Sequence, residues 1–437
     1  MQSVDTLLNA RWILPVEPEH CTLESHSLAI RGGRIVDILL TDQARSRYSA
    51  GLSLELSSHV LIPGLINAHT HAAMSLLRGL ADDLPLMDWL HHHIWPAEAR
   101  WVNPEFVHDG TQLAMAEMVR GGITCFNDMY FFPDVTAWAA RDCGLRACVG
   151  LILIDFPSAW AGSADDYLDK GLALHDALRH EPLLRTAFAP HAPYSVSDAP
   201  LRRVRALADE LDLPVHMHVH ETAAEVEQFR QSRGCRPLAH LQDLGLLSTN
   251  LQAVHMTQLT AGEIGQIAAA GAHVIHCPES NLKLASGFCP VAALDRAGVN
   301  VALGTDGAAS NNNLDMFGEL RLAALLGKAV AGDAAALPAW RALRMATLNG
   351  ARALGLEADT GSLVPGKWAD VVAVDLGFPE MEPVYHPLSQ LVYASDRHQV
   401  TDVWVGGRPL LKDGVLTTLD AADITRRARA WRRKIAA

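Results

Sequence analysis

The sequence predicts an α/β protein, a (β/α)8 TIM-type barrel combined with a small β-sandwich domain built from both termini. Two observations favour this fold. The middle of the chain alternates short apolar runs with longer stretches rich in alanine, leucine and arginine, whereas both ends consist of short strand-like runs separated by turns. A length of 437 residues, 49% of them hydrophobic, is sufficient for one barrel-sized domain and a smaller one.

The two ends of the chain share one pattern of short strands and tight turns. The strand-like runs are residues 5–14, 27–30, 34–40, 369–376 and 400–405. Gly32-Gly33 and Gly406-Gly407 supply hairpin signals beside them. Because chain termini often lie close together, we expect residues 1–62 and 367–437 to form one composite β-sandwich domain. The barrel is then expected at 63–366.

The middle of the chain contains eight short apolar runs, each followed by a helical stretch. These runs are residues 61–67, 124–128, 147–154, 186–190, 215–219, 253–255, 273–276 and 299–304. Eight parallel strands alternating with helices over about 300 residues are typical of a (β/α)8 barrel. A doubly wound open sheet is the structural alternative, but no GxGxxG motif opens a helix after the first strand.

Composition limits the classes of partner. The net charge of −13 argues against a nucleic-acid ligand, and no apolar run approaches the ~18–20 residues that cross a bilayer. The first 15 residues lack the basic start and apolar stretch of a secretory signal. The 7 cysteines are odd in number and form no CxxC pair, which favours reduced thiols. We expect a cytoplasmic protein that binds neither nucleic acid nor membranes.

Histidines and carboxylates occur at the C-terminal ends of most of the predicted barrel strands. Barrel enzymes build their active sites at that face, from the ends of several strands. Solvated surface histidines would have no reason to fall repeatedly at the same end of successive strands, so the pattern predicts a polar site there. The residues at these ends are His69, His71, His191, His216, His218, His220, Glu221, His255, His276 and Asp306.

The histidines at two of these strand ends have metal-ligand spacing. His69 and His71 are two residues apart, so on a strand both imidazoles project to one side and can reach a single ion. Neutral imidazole binds zinc and iron(II) well. The alternative is a pair of hydrogen-bonded core histidines. His216, His218 and His220 alternate in the same way, and periodicity alone does not identify which of them binds a metal.

Two carboxylates are open to a chemical or a structural interpretation. Glu221 follows the histidine-rich strand and could exchange protons with a reacting water. It also stands where a helix begins, a position that favours a carboxylate. Asp306, in Thr305-Asp306-Gly307, could complete a metal site or close its strand with an Asx turn. Taken alone, the residues decide neither case.

The combination of motifs resembles the amidohydrolase superfamily. The resemblance rests on residues 63–71 (PGLINAHTH), on His218 three residues before Glu221, on His255 and on Thr305-Asp306. It extends over essentially the whole chain and is strongest to the cytosine deaminase-like branch, which includes adenosine-type and guanine deaminases and chlorotriazine hydrolases. Three further stretches are similar to the 5′-methylthioadenosine/S-adenosylhomocysteine deaminases of that branch. They are residues 71–79, 87–90 and 281–287.

The resemblance implies a metal centre with assigned ligands. The implied ligands are His69, His71, His218 and Asp306. His218 is selected over its neighbours because the family's strand-five histidine stands three residues before the catalytic glutamate. The implied cofactor is one divalent metal ion, zinc with iron(II) as the alternative. Some members of the superfamily bridge two metals through a lysine on the fourth strand, but Lys170 lies in a helical-looking segment before that strand.

The resemblance also implies a reaction, the hydrolytic deamination of an adenosine-type purine nucleoside. Glu221 would transfer protons, His255 would orient the attacking water, and Asp306 would take a proton from it. His191 and Glu98 match substrate-contacting positions of the family. The alternatives are a hydrolase of the same scaffold acting on a guanine, cytosine-like or chlorotriazine ring, and a non-catalytic binding barrel.

An apolar segment after the first barrel strand is expected to contact the substrate. Residues 78–101 carry several leucines and tryptophans, including Trp89, and few charges. Such a segment could cover the barrel mouth and contact a thioether tail. Equally, it could pack in a domain contact or in a homodimer. His91-His92-His93 within it stay unassigned, because consecutive side chains on a helix point in different directions.

Overall fold

The structure, a computed structural model, describes residues 1–436, which form two eight-stranded sheets. The strands are β1 (Gln2–Ile13), β2 (Leu23–Arg31), β3 (Arg34–Leu40), β4 (Tyr48–Pro63), β5 (Leu65–Thr70), β6 (Ile123–Asp128), β7 (Arg146–Leu153), β8 (Leu184–Pro190), β9 (Val215–Val219), β10 (Leu251–His255), β11 (His273–His276), β12 (Asn300–Leu303), β13 (Val371–Asp375), β14 (Val400–Val405), β15 (Arg408–Lys412) and β16 (Val415–Leu416).

Helices follow most of the barrel strands and also occur near both ends of the chain. They are α1 (Thr41–Arg47), α2 (Leu86–Trp89), α3 (Trp95–Trp101), α4 (Pro104–Arg120), α5 (Pro133–Cys143), α6 (Ala164–Leu178), α7 (Asp198–Leu211), α8 (Ala223–Arg233), α9 (Pro237–Asp243), α10 (Ala261–Ala270), α11 (Pro278–Lys283), α12 (Val291–Arg296), α13 (Ala308–Asn311), α14 (Met316–Ala331), α15 (Ala339–Met345), α16 (Leu348–Ala353), α17 (Pro387–Tyr393) and α18 (Ala421–Ile435).

The second sheet is the predicted barrel. Its order, β5 to β12, follows the chain, and each neighbouring pair is parallel. Contacts between the first and last strands bring the sheet close to closure. The Asp306 amide donates to the His69 carbonyl at 3.0 Å, and the Thr305 amide donates to the Asn67 side chain at 3.0 Å. The eight carboxyl ends therefore meet at one rim.

Seven of the eight predicted barrel strands agree with the structure to within two residues at each end. The exception is the first, predicted at 61–67. Residues 61–63 belong to β4 of the other sheet, and the barrel strand β5 begins at Leu65. Between them, Gly64 lies so close to β6 that an added Cβ would stand 1.9 Å from Thr124 Oγ1. Both strands are buried there, so apolar residues continue on both sides of the break, and only Pro63-Gly64 marks it in the sequence.

The other sheet is built from both ends of the chain, as predicted. Its order is β16-β15-β14-β13-β4-β1-β2-β3, so β13 from the C-terminal part pairs with β4 from the N-terminal part. Alternation along β13 divides its side chains between two cores. Val371 and Ala373 pack with the terminal segments, whereas Val372 and Val374 join the core of the barrel. The division into 1–62 with 367–437 and 63–366 stays our proposal.

The last helix packs on the outside of the barrel. Trp431 of α18 is buried, and its indole N–H donates to Asp109 of α4 at 2.9 Å. Its ring also meets Phe106 edge-to-face with ring centres 5.3 Å apart. Within residues 1–436, no helix combines the length and the apolar character that crossing a membrane requires.

Candidate metal centre and active site

Four of the side chains at the barrel rim converge on one point. They are His69, His71, His218 and Asp306, and one nitrogen or oxygen atom of each lies within 4.8 Å of the corresponding atoms of the others. Nε2 of His69 is 3.2 Å from Nε2 of His218 and 3.3 Å from Oδ1 of Asp306. Nε2 of His71 is 3.2 Å from the same carboxylate oxygen. These side chains come from β5 and the residue just after it, from β9, and from the loop after β12.

The ends of several strands turn sharply where the site is formed. His220, His255 and Asp306 each follow or end a barrel strand with a positive φ, of 54°, 73° and 60°. Histidine and aspartate are among the few residues other than glycine that adopt this left-handed conformation readily. Such strained positions cluster at functional sites. At Asp306 the turn directs the carboxylate back toward His69 and His71.

The outward-facing nitrogens of the imidazoles indicate what the centre can bind. Nδ1 of His71 is 2.5 Å from the Met129 carbonyl, and Nδ1 of His218 is 2.8 Å from the His191 carbonyl. A carbonyl only accepts, so both Nδ1 atoms carry hydrogen and both Nε2 atoms face the centre. Three imidazole nitrogens and one carboxylate oxygen are ligands that zinc and iron(II) accept. The residues therefore fit a divalent metal ion.

The carboxylate of Asp306 is fixed by two serines that the sequence analysis did not single out. Ser280 Oγ and Ser310 Oγ donate to Oδ2 at 2.6 and 2.7 Å. Oδ1 accepts from the Gly307 amide at 2.8 Å and faces His69 and His71. Serines are frequent on loops and helix ends, and only the folded structure brings these two to Asp306.

The electrostatics of the four side chains favour a bound cation. Burial lowers the pKa of His69 to about 4 and that of His218 well below its ordinary value. Burial also acts to lower the pKa of His71, but the hydrogen bond and charge of Asp306 raise it to about 9. The carboxylate thus stabilises one positive charge among otherwise neutral imidazoles. A divalent ion would displace the proton from His71 and would be stabilised by the same negative charge of Asp306.

Glu221 and His255 lie beside the four converging side chains. Oε2 of Glu221 is 3.9 Å from Nε2 of His255, and both residues are buried. The His255 ring stacks on His218 with centres 5.4 Å apart, and its Nδ1 is 2.9 Å from the amide oxygen of Asn281. Burial raises the pKa of Glu221, so this carboxyl group can carry a proton nearer neutral pH than a solvated glutamate can.

The centre forms one end of a cavity of about 440 Å³. The predicted substrate contacts Trp89, Glu98 and His191 all line this cavity, together with Glu221 and His255. Tyr130 OH donates to Glu98 Oε1 at 2.7 Å, and burial raises the pKa of Glu98 to about 7. Most of the remaining wall is apolar.

The segment 78–101 supplies much of that apolar wall. Its residues Leu86, Leu90, Ile94 and Trp95 line the cavity beside Trp89. They lie on α2, on a π-helical turn (Leu90–Ile94) and on α3. The consecutive histidines at 91–93, by contrast, are exposed. The lid interpretation thus has a structural basis in this chain, whereas the three histidines stand apart from the metal centre.

The remaining histidines of the pattern have other environments. His216 is buried and contacts His69, with 2.7 Å between its Nε2 and Nδ1 of His69. His220 is also buried and accepts the Leu238 amide at 3.2 Å. His276 lies at the buried end of β11, outside the four-residue group. Lys170 lies on α6 and donates to the Trp160 carbonyl at 2.6 Å.

Comparison with known proteins agrees with this geometry. Residues 60–410 match the model of the Amidohydrolase family. A 5-methylthioadenosine/S-adenosylhomocysteine deaminase of Teredinibacter turnerae is 54% identical over 435 residues, which cover 100% of this chain and 98% of that protein. One of the same name from Saccharophagus degradans is 51% identical over 433 residues, covering 99% and 97% of the two chains.

A solved structure is similarly close. The crystal structure of an adenosine deaminase from Xanthomonas campestris, with bound zinc, superposes with a TM-score of 0.98 at 56% identity and covers 100% of this chain and 99% of its own. The family model and the full-length relatives confirm the resemblance inferred from the strand-end motifs. The chain belongs to the amidohydrolase family.

Proposed function

We propose that the chain is a metal-dependent hydrolytic deaminase of adenosine-type nucleosides, converting 5′-methylthioadenosine or S-adenosylhomocysteine to the inosine analogue and ammonia. The observation that carries the proposal is the group of three imidazoles and one carboxylate beside Glu221 and His255, at the end of a cavity that also contains Glu98. Full-length relatives named for this activity support it.

The metal centre would consist of His69, His71, His218 and Asp306. A divalent ion bound there supplies the positive charge that makes a water molecule acidic near neutral pH. We propose zinc, because the ligands are nitrogen and oxygen atoms and because a similar adenosine deaminase binds zinc. Iron(II) accepts the same ligands. Ser280 and Ser310 keep Oδ1 of Asp306 directed at the imidazoles.

The protons would be moved by three side chains. As water adds to the ring carbon that bears the amino group, Asp306 takes the proton that the water loses. Glu221 gives a proton to the adjacent ring nitrogen, so negative charge does not accumulate on the ring. His255 donates from Nδ1 to Asn281 and therefore presents Nε2 as an acceptor that orients the attacking water. Asp306 then returns its proton to the amino group, which leaves as ammonia, while the Glu221 carboxylate takes the proton of the added hydroxyl group as the carbonyl forms.

The cavity wall would orient the nucleoside. Glu98, held by Tyr130, is placed to accept hydrogen bonds from ribose hydroxyl groups. His191, whose Nδ1 lies 2.8 Å from Ser195 Oγ, would contact the base or sugar. Trp89 is fixed by donation to the Ala81 carbonyl at 3.1 Å and offers an apolar face to the 5′ group. Other partners, among them the expected homodimer, stay predictions, as does a cytoplasmic location.

A substrate panel tests the proposal. Protein loaded with zinc is incubated with adenosine, 5′-methylthioadenosine, S-adenosylhomocysteine, guanine and a chlorotriazine, and ammonia and chloride release are measured. We expect ammonia release from at least one adenosine-type nucleoside and no comparable turnover of guanine or the chlorotriazine. Turnover of guanine or the triazine alone would support the alternative hydrolase. No turnover of any compound by metal-loaded protein would support the non-catalytic barrel.

A further inference from the structure

A chain of hydrogen bonds extends from the metal centre into the interior of the barrel. Nδ1 of His69 lies 2.7 Å from Nε2 of His216, and Nδ1 of His216 lies 2.9 Å from Oε1 of Gln252. Nε2 of Gln252 donates to the Ala353 carbonyl at 2.5 Å. All three side chains are 0% exposed, so water cannot exchange for any of these partners.

The direction of each bond follows from the last acceptor. The Ala353 carbonyl, at the final residue of α16, only accepts, so the Gln252 amide nitrogen must face it and the amide oxygen must face His216. That oxygen requires hydrogen on Nδ1 of His216, which leaves Nε2 of His216 as an acceptor. Nδ1 of His69 then donates to it. Consequently the Nε2 lone pair of His69 points at the metal centre.

A neighbouring amide supports this direction. Nδ2 of Asn127 lies 3.1 Å from Oε1 of Gln252, 3.2 Å from the Ala68 carbonyl and 3.2 Å from Nδ1 of His216. An amide nitrogen has two hydrogens, and the two oxygens account for both. If Gln252 offered no acceptor, Asn127 could donate to His216 instead and stabilise the opposite tautomer.

His69 differs from the other two imidazoles in how it is held. The Nδ1 atoms of His71 and His218 face backbone carbonyls, of Met129 and His191, which no side-chain substitution removes. Only His69 of the three has a side chain as its outer partner. Its tautomer therefore depends on residues that a point mutation can change.

We propose that His216 and Gln252 are positioning residues, which fix the tautomer and orientation of His69 for metal binding through a relay that ends at the Ala353 carbonyl. This inference rests on the metal centre of the proposed function. Partners that orient a metal-binding histidine typically contribute about 10- to 100-fold to metal affinity. The relay assigns a role to His216, one of the three alternating histidines whose function the sequence pattern leaves open.

Substitutions at the two positions test the relay. His216→Met and Gln252→Leu remove the acceptors of the relay, whereas His216→Gln keeps an oxygen or nitrogen near the position of Nε2. His276→Met is the matched control, because His276 is also buried at the end of a barrel strand but lies outside the four-residue group. The dissociation constant of zinc is measured by competition with a chromogenic chelator, together with the visible spectrum of the cobalt(II)-loaded protein.

We expect His216→Met and Gln252→Leu to weaken zinc binding by about 10- to 100-fold and to change the cobalt(II) spectrum. His216→Gln should recover part of the affinity, and His276→Met should bind zinc as the unmodified protein does. Melting temperatures of the metal-free variants report damage to the fold separately. Equal zinc affinity in His216→Met, Gln252→Leu and His276→Met would overturn the relay. Failure of the unmodified protein to bind zinc would overturn the proposed metal centre itself.

Discussion

At the scale of single residues, the metal centre combines side chains that the sequence identifies with side chains that it does not. The ligand set and Glu221 follow from motif spacing once the resemblance is recognised. Ser280, Ser310 and Gln252 have no such signal, because their roles depend on which loops and strands lie against each other in three dimensions. A buried glutamine on a strand looks the same in sequence whether it supports a ligand or only fills the core.

The role proposed for Glu221 gives a direct prediction. Glu221→Gln keeps the size and burial of the side chain but cannot deliver the proton to the ring, so kcat should fall by about a hundredfold to ten-thousandfold while zinc stoichiometry is unchanged. Steady-state ammonia release and metal analysis check this. Glu227→Gln is the control, since Glu227 is an exposed carboxylate on α8 that pairs with Arg230 and does not touch Glu221. Unchanged turnover in Glu221→Gln would remove Glu221 from the mechanism.

At the scale of elements, the strand pattern is predictable because each barrel strand is a short buried apolar run between a polar turn and a helix. The junction between the two sheets is less predictable from the sequence. Residues 61–67 resemble one mostly apolar strand, yet Pro63-Gly64 divides them between β4 and β5. The position of the break depends on the close approach of Gly64 to Thr124 of β6, a contact between segments about sixty residues apart in sequence.

Gly64 should therefore tolerate no side chain. In Gly64→Ala the new Cβ would stand 1.9 Å from Thr124 Oγ1, so β5 and β6 would have to separate. We expect a loss of about 1–3 kcal/mol in the free energy of unfolding, measured by denaturant titration. In the control Gly262→Ala the added methyl group on α10 meets nothing within 4 Å, and a gain of about 0.5–1 kcal/mol is expected. Equal stability of the two variants would contradict this account of the junction.

Glu117 of α4 connects three segments. Its carboxylate accepts from Arg397 at 2.7 Å, from the Leu314 amide at 3.1 Å and from Arg78, which begins the segment beside the cavity. Burial acts to raise the pKa of Glu117, but the hydrogen bond and charge of Arg78 and the other donors hold it below its ordinary value. Such a carboxylate stabilises the fold above its unfolded pKa, and this contribution is lost as the pH falls through the folded pKa.

Glu117→Gln should accordingly destabilise the protein in a pH-dependent way. Near neutral pH we expect a loss of about 1–3 kcal/mol, less than for a fully buried ion pair because both arginines are partly exposed. As the pH falls below the ordinary pKa of a glutamate and through the lowered pKa of Glu117, the difference from the unmodified protein should shrink, because its own carboxylate becomes protonated. Denaturant titrations across this range provide the measurement. A difference that grows on acidification would contradict the assignment.

At the scale of the whole molecule, the fold class is predictable from two sequence patterns. Both termini consist of short strands separated by turns, and the middle of the chain repeats one βα unit. The pattern of short strands and turns does not predict that β4 and β13 pair and so join the two ends into one sheet. Pairing between strands about three hundred residues apart leaves no local signal in the sequence. That sheet closes off one side of the barrel core. At the mouth of the barrel, the apolar segment 78–101 lines the cavity.

The cavity at that mouth predicts a preference between the two nucleosides. Among the described residues that line it, none is a lysine or an arginine. The methylthio group of 5′-methylthioadenosine suits such a wall, whereas the carboxylate of S-adenosylhomocysteine would find no cation there. We expect kcat/KM to favour 5′-methylthioadenosine by at least about tenfold, or ~1.4 kcal/mol. Equal values for both nucleosides would show that the tail is accommodated outside this cavity.

Removal of divalent ions is the most direct test of the metal centre on which the mechanism depends. The protein is dialysed against a strong chelator, its metal content is determined, and ammonia release from 5′-methylthioadenosine is followed as zinc is added back. We expect activity to be lost with the metal and to return in proportion to added zinc until one ion is bound per chain. Full activity in protein that contains no stoichiometric divalent ion would contradict this expectation.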